Sequence, residues 1–151
     1  MDEFLAAHER HQSRVEYQHL DAHELDVDQI GQFDLVLVLG VFYHLRNPVA
    51  ALERMARLTR RLLICETHVL LPFIHERYPL VPFFPGDERT DEQTYDLCGI
   101  PTMTALTEML RFSGFNEVDI RYRPSFRYWK KLMALVTMRP QSGRGIVHAR
   151  P

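Results

Sequence analysis

Residues 33–67 read FDLVLVLGVFYHLRNPVAALERMARLTRRLLICET, and this stretch decides the fold. Its first residues, Phe33–Leu39, are apolar at nearly every position. A strand that is apolar on both of its alternating faces is typical of the centre of a parallel α/β sheet, where other elements cover both sides. We therefore predict that the side chains of residues 35–38 are all nearly inaccessible to solvent.

A helix and a second buried strand follow in the same stretch. Gly40 ends the first strand, and Asn47-Pro48 supplies a helix N-cap followed by proline at the first helical position. The helix is predicted to run to about Thr59. Arg61–Glu66 (RLLICE) then predicts a second buried strand. Strand, helix and strand in this spacing form a βαβ unit.

The residues that precede this unit predict a helix and a short strand. Residues 2–11 have the apolar spacing of a helix. Arg14–Leu20 (RVEYQHL) alternates as a short strand does, and Asp21 follows at its end. Residues 22–32 indicate a turn with a loose helical stretch.

The residues that follow the unit begin with a long segment rich in proline and aromatic side chains, residues 67–100. Such a long connection inside a compact domain is more often a substrate loop or lid than a plain connector, and we predict that role for it. The rest of the chain predicts a helix over 102–111 closed by Gly114, a strand over 115–122, a helix over 128–138 and a strand over 145–149.

Composition indicates one ordinary globular domain over residues 1–151. The hydrophobic share is 46% and the charged share 25%, as in typical soluble domains. No apolar run has the length of a membrane span, so no membrane partner is expected. Cys65 and Cys98 match neither a disulfide framework nor a CxxC pattern, which favours a reduced cytoplasmic setting.

Charge is distributed unevenly around a net value of −2. Acidic residues dominate the first thirty positions, whereas the residues from Arg121 to the end include basic side chains and no acidic ones. Such asymmetry is compatible with an RNA or phosphate partner. The alternative is a solvated basic face that balances acidic residues elsewhere.

Two strand ends carry the candidate binding residues, because open α/β sheets bind ligands at the carboxyl ends of their strands. One is Asp21-Ala22 and the other is the segment from Leu39 to His44. A carboxylate there can accept a hydrogen bond from an exocyclic amine while the next backbone N–H donates to a ring nitrogen, which suits adenine. The alternatives are that Asp21 is a turn residue, that Gly40 only terminates the strand, and that His44 is a packed or capping histidine.

The same residues resemble class I S-adenosylmethionine-dependent methyltransferases, and most closely a branch that includes the tRNA wobble-uridine carboxymethyltransferases and related uncharacterised enzymes. That branch has the order FD, an apolar strand, G-V-L-Y-H, a proline-started helix and a strand that ends in Glu-Thr. The corresponding residues here are Phe33-Asp34, residues 40–44, Asn47-Pro48 and Glu66-Thr67. IPTMTALTEMLRFSGFNEVDI, residues 100–120, is similar to a later part of the same branch. The resemblance covers roughly residues 1–122.

The resemblance implies S-adenosyl-L-methionine as cofactor. It implies that Asp21 and Ala22 lie at the adenine, that the backbone of Leu39 lies against the methionine part, and that Tyr43 and His44 face the methyl-transfer cavity. The residues it assigns to cofactor binding are Asp21, Ala22, Leu39, Gly40 and Tyr43, and those it assigns to the substrate are Tyr43, His44 and Glu66. Glu66 has the alternative of pairing with a nearby arginine.

Two features that the resemblance leads us to expect are missing from the sequence. No GxGxG loop occurs in it, and the acidic residue that holds the ribose after the family's second strand has no counterpart. By the resemblance, residue 1 lies in the helix after the second strand of the family. The expected fold is therefore α/β, a partial Rossmann-like methyltransferase sheet that lacks its first two strands and has helices on both faces. We expect a sheet of the strands FDLVLVL, RLLICE, FNEVDIRY and GIVHA. Arg14–Leu20 would dock on the vacant edge of FDLVLVL or attach loosely, or that edge would mediate self-association.

The function that the resemblance implies is methyl transfer to a small-molecule or RNA acceptor, impaired in an N-terminally truncated fragment. The alternative is a non-catalytic remnant that binds RNA or a partner protein through its basic C-terminal segment. A nicotinamide-dependent dehydrogenase fits the βαβ pattern but not the G-V-F-Y-H segment, and fold alone does not fix function.

Overall fold

The computed structural model describes residues 2–70, 78–85, 97–124 and 142–151. The predicted helix over 128–138 lies outside these residues. In chain order the elements are α1 (Asp2–Arg10), α2 (Val27–Ile30), β1 (Phe33–Leu39), α3 (Pro48–Leu58), β2 (Thr59–Leu70), β3 (Phe83–Pro85), β4 (Leu97–Gly99), α4 (Met103–Phe112), β5 (Glu117–Tyr122) and β6 (Ser142–Arg150), with a 3₁₀ turn at Phe42–His44 between β1 and α3.

The main sheet has the order β1-β2-β6-β5. β1 and β2 are parallel, with Leu39 opposite Glu66, while β6 runs antiparallel to both β2 and β5. α3 connects the parallel pair, which confirms the predicted βαβ unit. The four strands are the ones expected from the sequence. β3 and β4 form a separate two-stranded sheet inside the segment predicted as a substrate loop or lid, a role that stays a prediction.

α3 begins and ends where its sequence signals predict. The Asn47 side chain accepts a hydrogen bond from the Ala50 N–H, and Pro48 occupies the first turn. The helix buries Ala51, Leu52, Met55 and Leu58, and β2 begins at the next residue. β2 is longer than the predicted Arg61–Glu66 at both ends.

α4 is likewise capped by local signals. Thr102 caps its N-terminus, and Gly114, with a φ of +110°, follows its C-terminus. A glycine after the last turn is favoured there because the left-handed backbone region strains other residues.

One hydrophobic core lies between the main sheet and the two helices α3 and α4. Val38 and Cys65 contribute from the parallel strands, Val147 from β6, and Leu52 and Leu106 from the helices. Burial raises the pKa of the Cys65 thiol to about 12, so this cysteine is a core residue rather than a reactive one.

The expected burial of both faces of β1 is wrong for one face. Val38 is 3% exposed, but Leu35 and Leu37 are 49% and 55% exposed, and Leu39 is 53% exposed. α3 and α4 both pack on the face that carries Val36 and Val38, so among the described elements these two helices cover one face of the sheet and not both. The exposed leucine face of β1 has the apolar character of a surface that another layer of structure would cover.

The expected strand at Arg14–Leu20 is also wrong. Residues 13–21 have no regular secondary structure, and Val15 is 59% exposed. They fold back on α1, where the Phe4 and Tyr17 rings meet edge to face at 5.4 Å and the Val15 carbonyl lies 2.7 Å from His8 Nε2. An alternating pattern needs a neighbouring strand to satisfy its backbone groups, and in the described sheet β1 pairs only with β2.

Candidate active site at the carboxyl ends of the parallel strands

The turn after β1 is fixed by Gly40. Its φ is +70°, a conformation that favours glycine, and its N–H donates to the Glu66 carbonyl at 3.0 Å. Phe42, 1% exposed, anchors the following 3₁₀ turn in the core. The neighbouring Tyr43 is half-buried and His44 exposed, so the turn presents both side chains at the carboxyl ends of β1 and β2.

Tyr43 lies at the centre of a cluster of rings. Its ring centroid is 4.0 Å from that of His44 and 5.0 Å from that of His68, the latter pair edge to face. Cys98 of β4 reaches the cluster, with its Sγ 3.8 Å from His44 Nδ1. Residues from the 3₁₀ turn after β1, from β2 and from the small sheet therefore meet at this end of the main sheet.

Glu66 forms an ion pair with Arg144 of β6. The Arg144 Nη1 lies 3.1 Å from each carboxylate oxygen, and its guanidinium stands over the Tyr43 ring at 5.8 Å. Glu66 does pair with an arginine, but the alternative of a nearby arginine is wrong, because the partner is Arg144, 78 residues further along the chain. Arg144 still leaves 48% of its side chain exposed.

The surroundings of His68 lower its pKa. Partial burial lowers its pKa and the Arg144 charge adds to this, while Glu66 acts in the opposite direction. Its Nδ1 lies 3.5 Å from the Ser142 Oγ. A neutral imidazole can accept a hydrogen bond at one ring nitrogen and donate one from the other.

Asp21 and Ala22 lie at a second point of the same region, beside the start of α3. The Asp21 Oδ1 accepts a hydrogen bond from the His23 N–H at 2.8 Å and lies 2.7 Å from His23 Nδ1. These two hydrogen bonds, in that order, lower the pKa of Asp21. Ala22 packs against the core. The turn-residue alternative for Asp21 is therefore seen directly, and it does not exclude a ligand at the same carboxylate.

Sequence reasoning missed His23, His68, Arg144 and Ser142. His68 could have been found, because it follows Glu66 by two positions on a strand and so shares its face. Arg144 and Ser142 could not, since their approach depends on the antiparallel register of β2 and β6.

The donor set fits part of S-adenosylmethionine. The Asp21 carboxylate can accept a hydrogen bond from an amine such as that of adenine, whereas the Glu66 carboxylate and the Tyr43 ring already hold the Arg144 guanidinium. No GxGxG loop occurs in the sequence to hold the rest of the cofactor.

Among the described residues no group of His, Cys, Asp or Glu has a metal-binding arrangement. None of the described helices is long and apolar enough to cross a bilayer.

Residues 1–62 match the methyltransferase domain family Methyltransf_11. No protein of curated function matches the sequence at a significant level.

Several solved structures share the fold. The N-terminal domain of EvdMO1, with SAH bound, is 20% identical with a TM-score of 0.71, and the match covers 97% of this chain and 58% of that one. The 1,6-didemethyltoxoflavin-N1-methyltransferase of Burkholderia thailandensis, with 1,6-didemethyltoxoflavin and S-adenosylhomocysteine bound, is 19% identical with a TM-score of 0.59, covering 98% and 56%. An S-adenosylmethionine-dependent methyltransferase of Mesorhizobium loti is 16% identical with a TM-score of 0.55, covering 100% and 77%.

The chain spans 58% of the EvdMO1 domain and 56% of the Burkholderia thailandensis enzyme. Its α/β sheet is that of the Rossmann-like methyltransferases. The chain therefore shares the fold of these methyltransferases, and the family model matches residues 1–62 of it.

Proposed function

We propose that this chain contributes the acceptor-facing half of an active site that transfers a methyl group from S-adenosyl-L-methionine to a small-molecule or RNA acceptor. The observation that carries the proposal is the convergence of Gly40, Tyr43 and Glu66 at the carboxyl ends of two parallel strands. Ligands of open α/β sheets bind at such strand ends.

Each predicted residue has a role in this proposal. Asp21 accepts from the adenine amine, with the Ala22 backbone beside it, and the backbones of Leu39 and Gly40 lie against the methionine part. Tyr43 faces both cofactor and acceptor, and His44 and Glu66 orient the acceptor. The bound cofactor supplies an already activated methyl group, so the protein acts mainly by aligning the acceptor and excluding water. The ring cluster around Tyr43 provides an aromatic wall beside the acceptor position.

A small-molecule acceptor is the form of the proposal that the observations favour. The Burkholderia thailandensis enzyme, with the same fold, was solved with a small heterocycle bound. The remnant alternative relies on the basic segment after Arg121. Of its described arginines, Arg144 pairs with Glu66, and Arg150 lies 3.2 Å from Asp119 and 3.5 Å from Glu117. These pairs leave less positive charge for RNA than the sequence suggests.

We expect the chain by itself to bind the cofactor weakly, because the sequence has no glycine-rich loop whose N–H groups would hold it. The test is a titration of the isotope-labelled chain with S-adenosylhomocysteine, followed by amide chemical shifts. The amides of Asp21, Ala22, Gly40 and Tyr43 should shift together and saturate in the millimolar range. Shifts confined to residues elsewhere, or none at all, would contradict the proposal.

A matched pair of substitutions separates the role of Asp21 from general charge effects. Asp21→Asn should weaken S-adenosylhomocysteine binding roughly tenfold, because the amide oxygen can still accept from the adenine amine but the negative charge that strengthens this hydrogen bond is lost. Asp28→Asn, which changes an exposed carboxylate in the first turn of α2, should leave binding unchanged. Equal affinities for both variants would mean that Asp21 is only a turn residue.

We also propose that the unpaired edge of β1 supports self-association. In the described sheet β1 has one partner strand, and its leucine face is exposed. Backbone groups on an open edge accept a strand from another molecule.

A further inference from the structure

His23 links the two parts of the candidate site. Its ring Nδ1 lies 2.7 Å from the Asp21 Oδ1, and its Nε2 accepts a hydrogen bond from the Asn47 N–H at 3.3 Å. The ring side chain is 29% exposed. Asp21 comes from the loop after residue 20, whereas Asn47 ends the loop that follows β1 and carries Tyr43 and His44.

The protonation state of the ring follows from these partners. A backbone N–H can only donate, so Nε2 must carry the lone pair that receives the Asn47 N–H. A neutral imidazole then carries its proton on Nδ1, where it points at the Asp21 carboxylate. The two hydrogen bonds therefore require one particular tautomer of an uncharged ring.

The backbone on each side of this link is held in place. Ala22 and Leu25 pack against the core, and Arg54 of α3 donates to the Leu25 carbonyl at 3.0 Å. At the other end Asn47 caps α3 through the Ala50 N–H. A ring that bridges two anchored segments transmits the position of one to the other.

We propose that His23 is a positioning residue that fixes the Asp21 carboxylate relative to the loop bearing Tyr43 and His44. The inference rests on the proposed cofactor role of Asp21 and extends it, since it names the group that holds the adenine-binding carboxylate and the acceptor-facing loop in one geometry.

The proposal makes the link sensitive to acid in a defined way. Protonation of Nε2 turns an acceptor into a donor that faces the Asn47 N–H, so this hydrogen bond is lost, whereas the bond to Asp21 is kept. The charged groups around the ring are Asp21 on its own loop and Arg46 on the loop of Asn47, whose charge also acts on Asp21. Arg54 is engaged with the Leu25 carbonyl. Loss of this hydrogen bond when Nε2 is protonated should therefore change the shifts of the Asn47 amide and the His23 ring together.

The two hydrogen bonds can be removed separately in the full chain without any ligand. Asparagine places an N–H donor near the position of Nδ1, and glutamine places an acceptor near that of Nε2. In His23→Asn the Asn47 amide shift should change while the pKa of Asp21 stays low. In His23→Gln the chemical shift of the Asn47 amide should stay as in the wild type, while the pKa of Asp21 rises. The rise should be only partial, because the backbone N–H of residue 23 still donates to the Asp21 carboxylate.

Nuclear magnetic resonance reads both effects directly. Long-range ¹H–¹⁵N spectra should show the ring proton of wild-type His23 on Nδ1, and a ¹³C titration follows the Asp21 carboxylate. His23→Phe should produce both changes and also shift the amides of Tyr43 and His44. His19→Phe, a histidine in the exposed extended segment, is the control and should produce none of them. A proton on Nε2, or identical Asn47 and Asp21 behaviour in the Asn and Gln variants, would overturn the proposal.

Titration with S-adenosylhomocysteine adds the functional readout. Binding should weaken several-fold in both His23→Asn and His23→Phe and be unchanged in His19→Phe. Wild-type-like affinity in both His23 variants would contradict the positioning role. If the wild-type chain shows no binding, the proposed function fails for this chain, while the ligand-free measurements still decide whether His23 couples the two segments.

Discussion

Two buried threonines in β2 differ in what their hydroxyl groups contact. Thr59 is 3% exposed, and its Oγ1 donates to the Met55 carbonyl at 2.7 Å. Thr67 is fully buried opposite Gly145, and its Oγ1 has no hydrogen-bond partner among the described residues. An unpartnered buried hydroxyl is destabilising because it has lost its hydration without compensation.

The contrast between them predicts opposite effects of the same substitution. Thr67→Val should leave the free energy of unfolding unchanged or raise it by up to about 1 kcal/mol, since it replaces an unpaired hydroxyl by a methyl group of similar size. Thr59→Val should lower it by about 1 kcal/mol, because a formed hydrogen bond is lost. Urea unfolding of the two variants measures both. A loss in Thr67→Val as large as that in Thr59→Val would reveal a partner for the Thr67 hydroxyl.

At the residue scale, sequence reasoning succeeded where a role depends on neighbours a few positions away. The capping residues Asn47 and Thr102 are of this kind, and so is Gly114. It failed where the partner is remote: the bond from the Asn47 N–H to His23 spans 24 residues and that between Arg144 and Glu66 spans 78. Spacing along the chain contains no information on such pairs until the sheet register is known.

Among the elements, β6 packs closely against α4 at Gly145. A Cβ on Gly145 would lie 2.6 Å from the Met103 Cε and 3.1 Å from a methyl group of Val69. Gly145→Ala should therefore lower the free energy of unfolding by about 1–3 kcal/mol through overpacking. Chemical denaturation checks this value.

A second background tests the cause of that loss. In a Met103→Ala chain the nearest atom is gone, so the additional cost of Gly145→Ala should be smaller than in the wild-type background. Equal costs in both backgrounds would mean that Met103 is not the obstacle.

Element identity was predictable for the strands of the main sheet and for the capped helices, but not for residues 14–20. Their alternation satisfies the strand pattern, yet no described strand lies beside them, and they contact α1 instead. The long apolar run of β1 likewise predicts a strand covered on both faces, whereas its leucine face is exposed. Which face a second layer covers is set by neighbours that the run itself does not contain.

For the molecule as a whole, the open edge of β1 predicts a concentration-dependent pattern of amide exchange. The Gly40 N–H donates to β2, and backbone groups alternate in direction along a strand, so the N–H groups of Val36 and Val38 also face β2. Those of Leu35, Leu37 and Leu39 face the open edge. In dilute solution the valine amides should exchange slowly and the leucine amides fast, as should the amides of residues 15–19.

Self-association through this edge should protect the leucine amides as concentration rises, with a matching increase in mass by light scattering. Leu37→Lys should weaken the association, whereas Phe112→Lys, which alters a side chain 76% exposed on α4, should not. A monomer at all concentrations with fast exchange at Leu35, Leu37 and Leu39 would rule out dimerisation through β1.

The ion pair between Glu66 and Arg144 also bears on the order in which the molecule folds. The parallel unit of β1, α3 and β2 consists of contacts that are close along the chain, whereas Arg144 reaches Glu66 across 78 residues. Closing a longer loop costs more chain entropy and slows formation of the contacts that depend on it. The Gly40 turn and its aromatic residues can therefore form early, and the guanidinium that stands over Tyr43 arrives with the last strand pairing. Until that last pairing forms, Glu66 lacks the guanidinium that it contacts in the native protein.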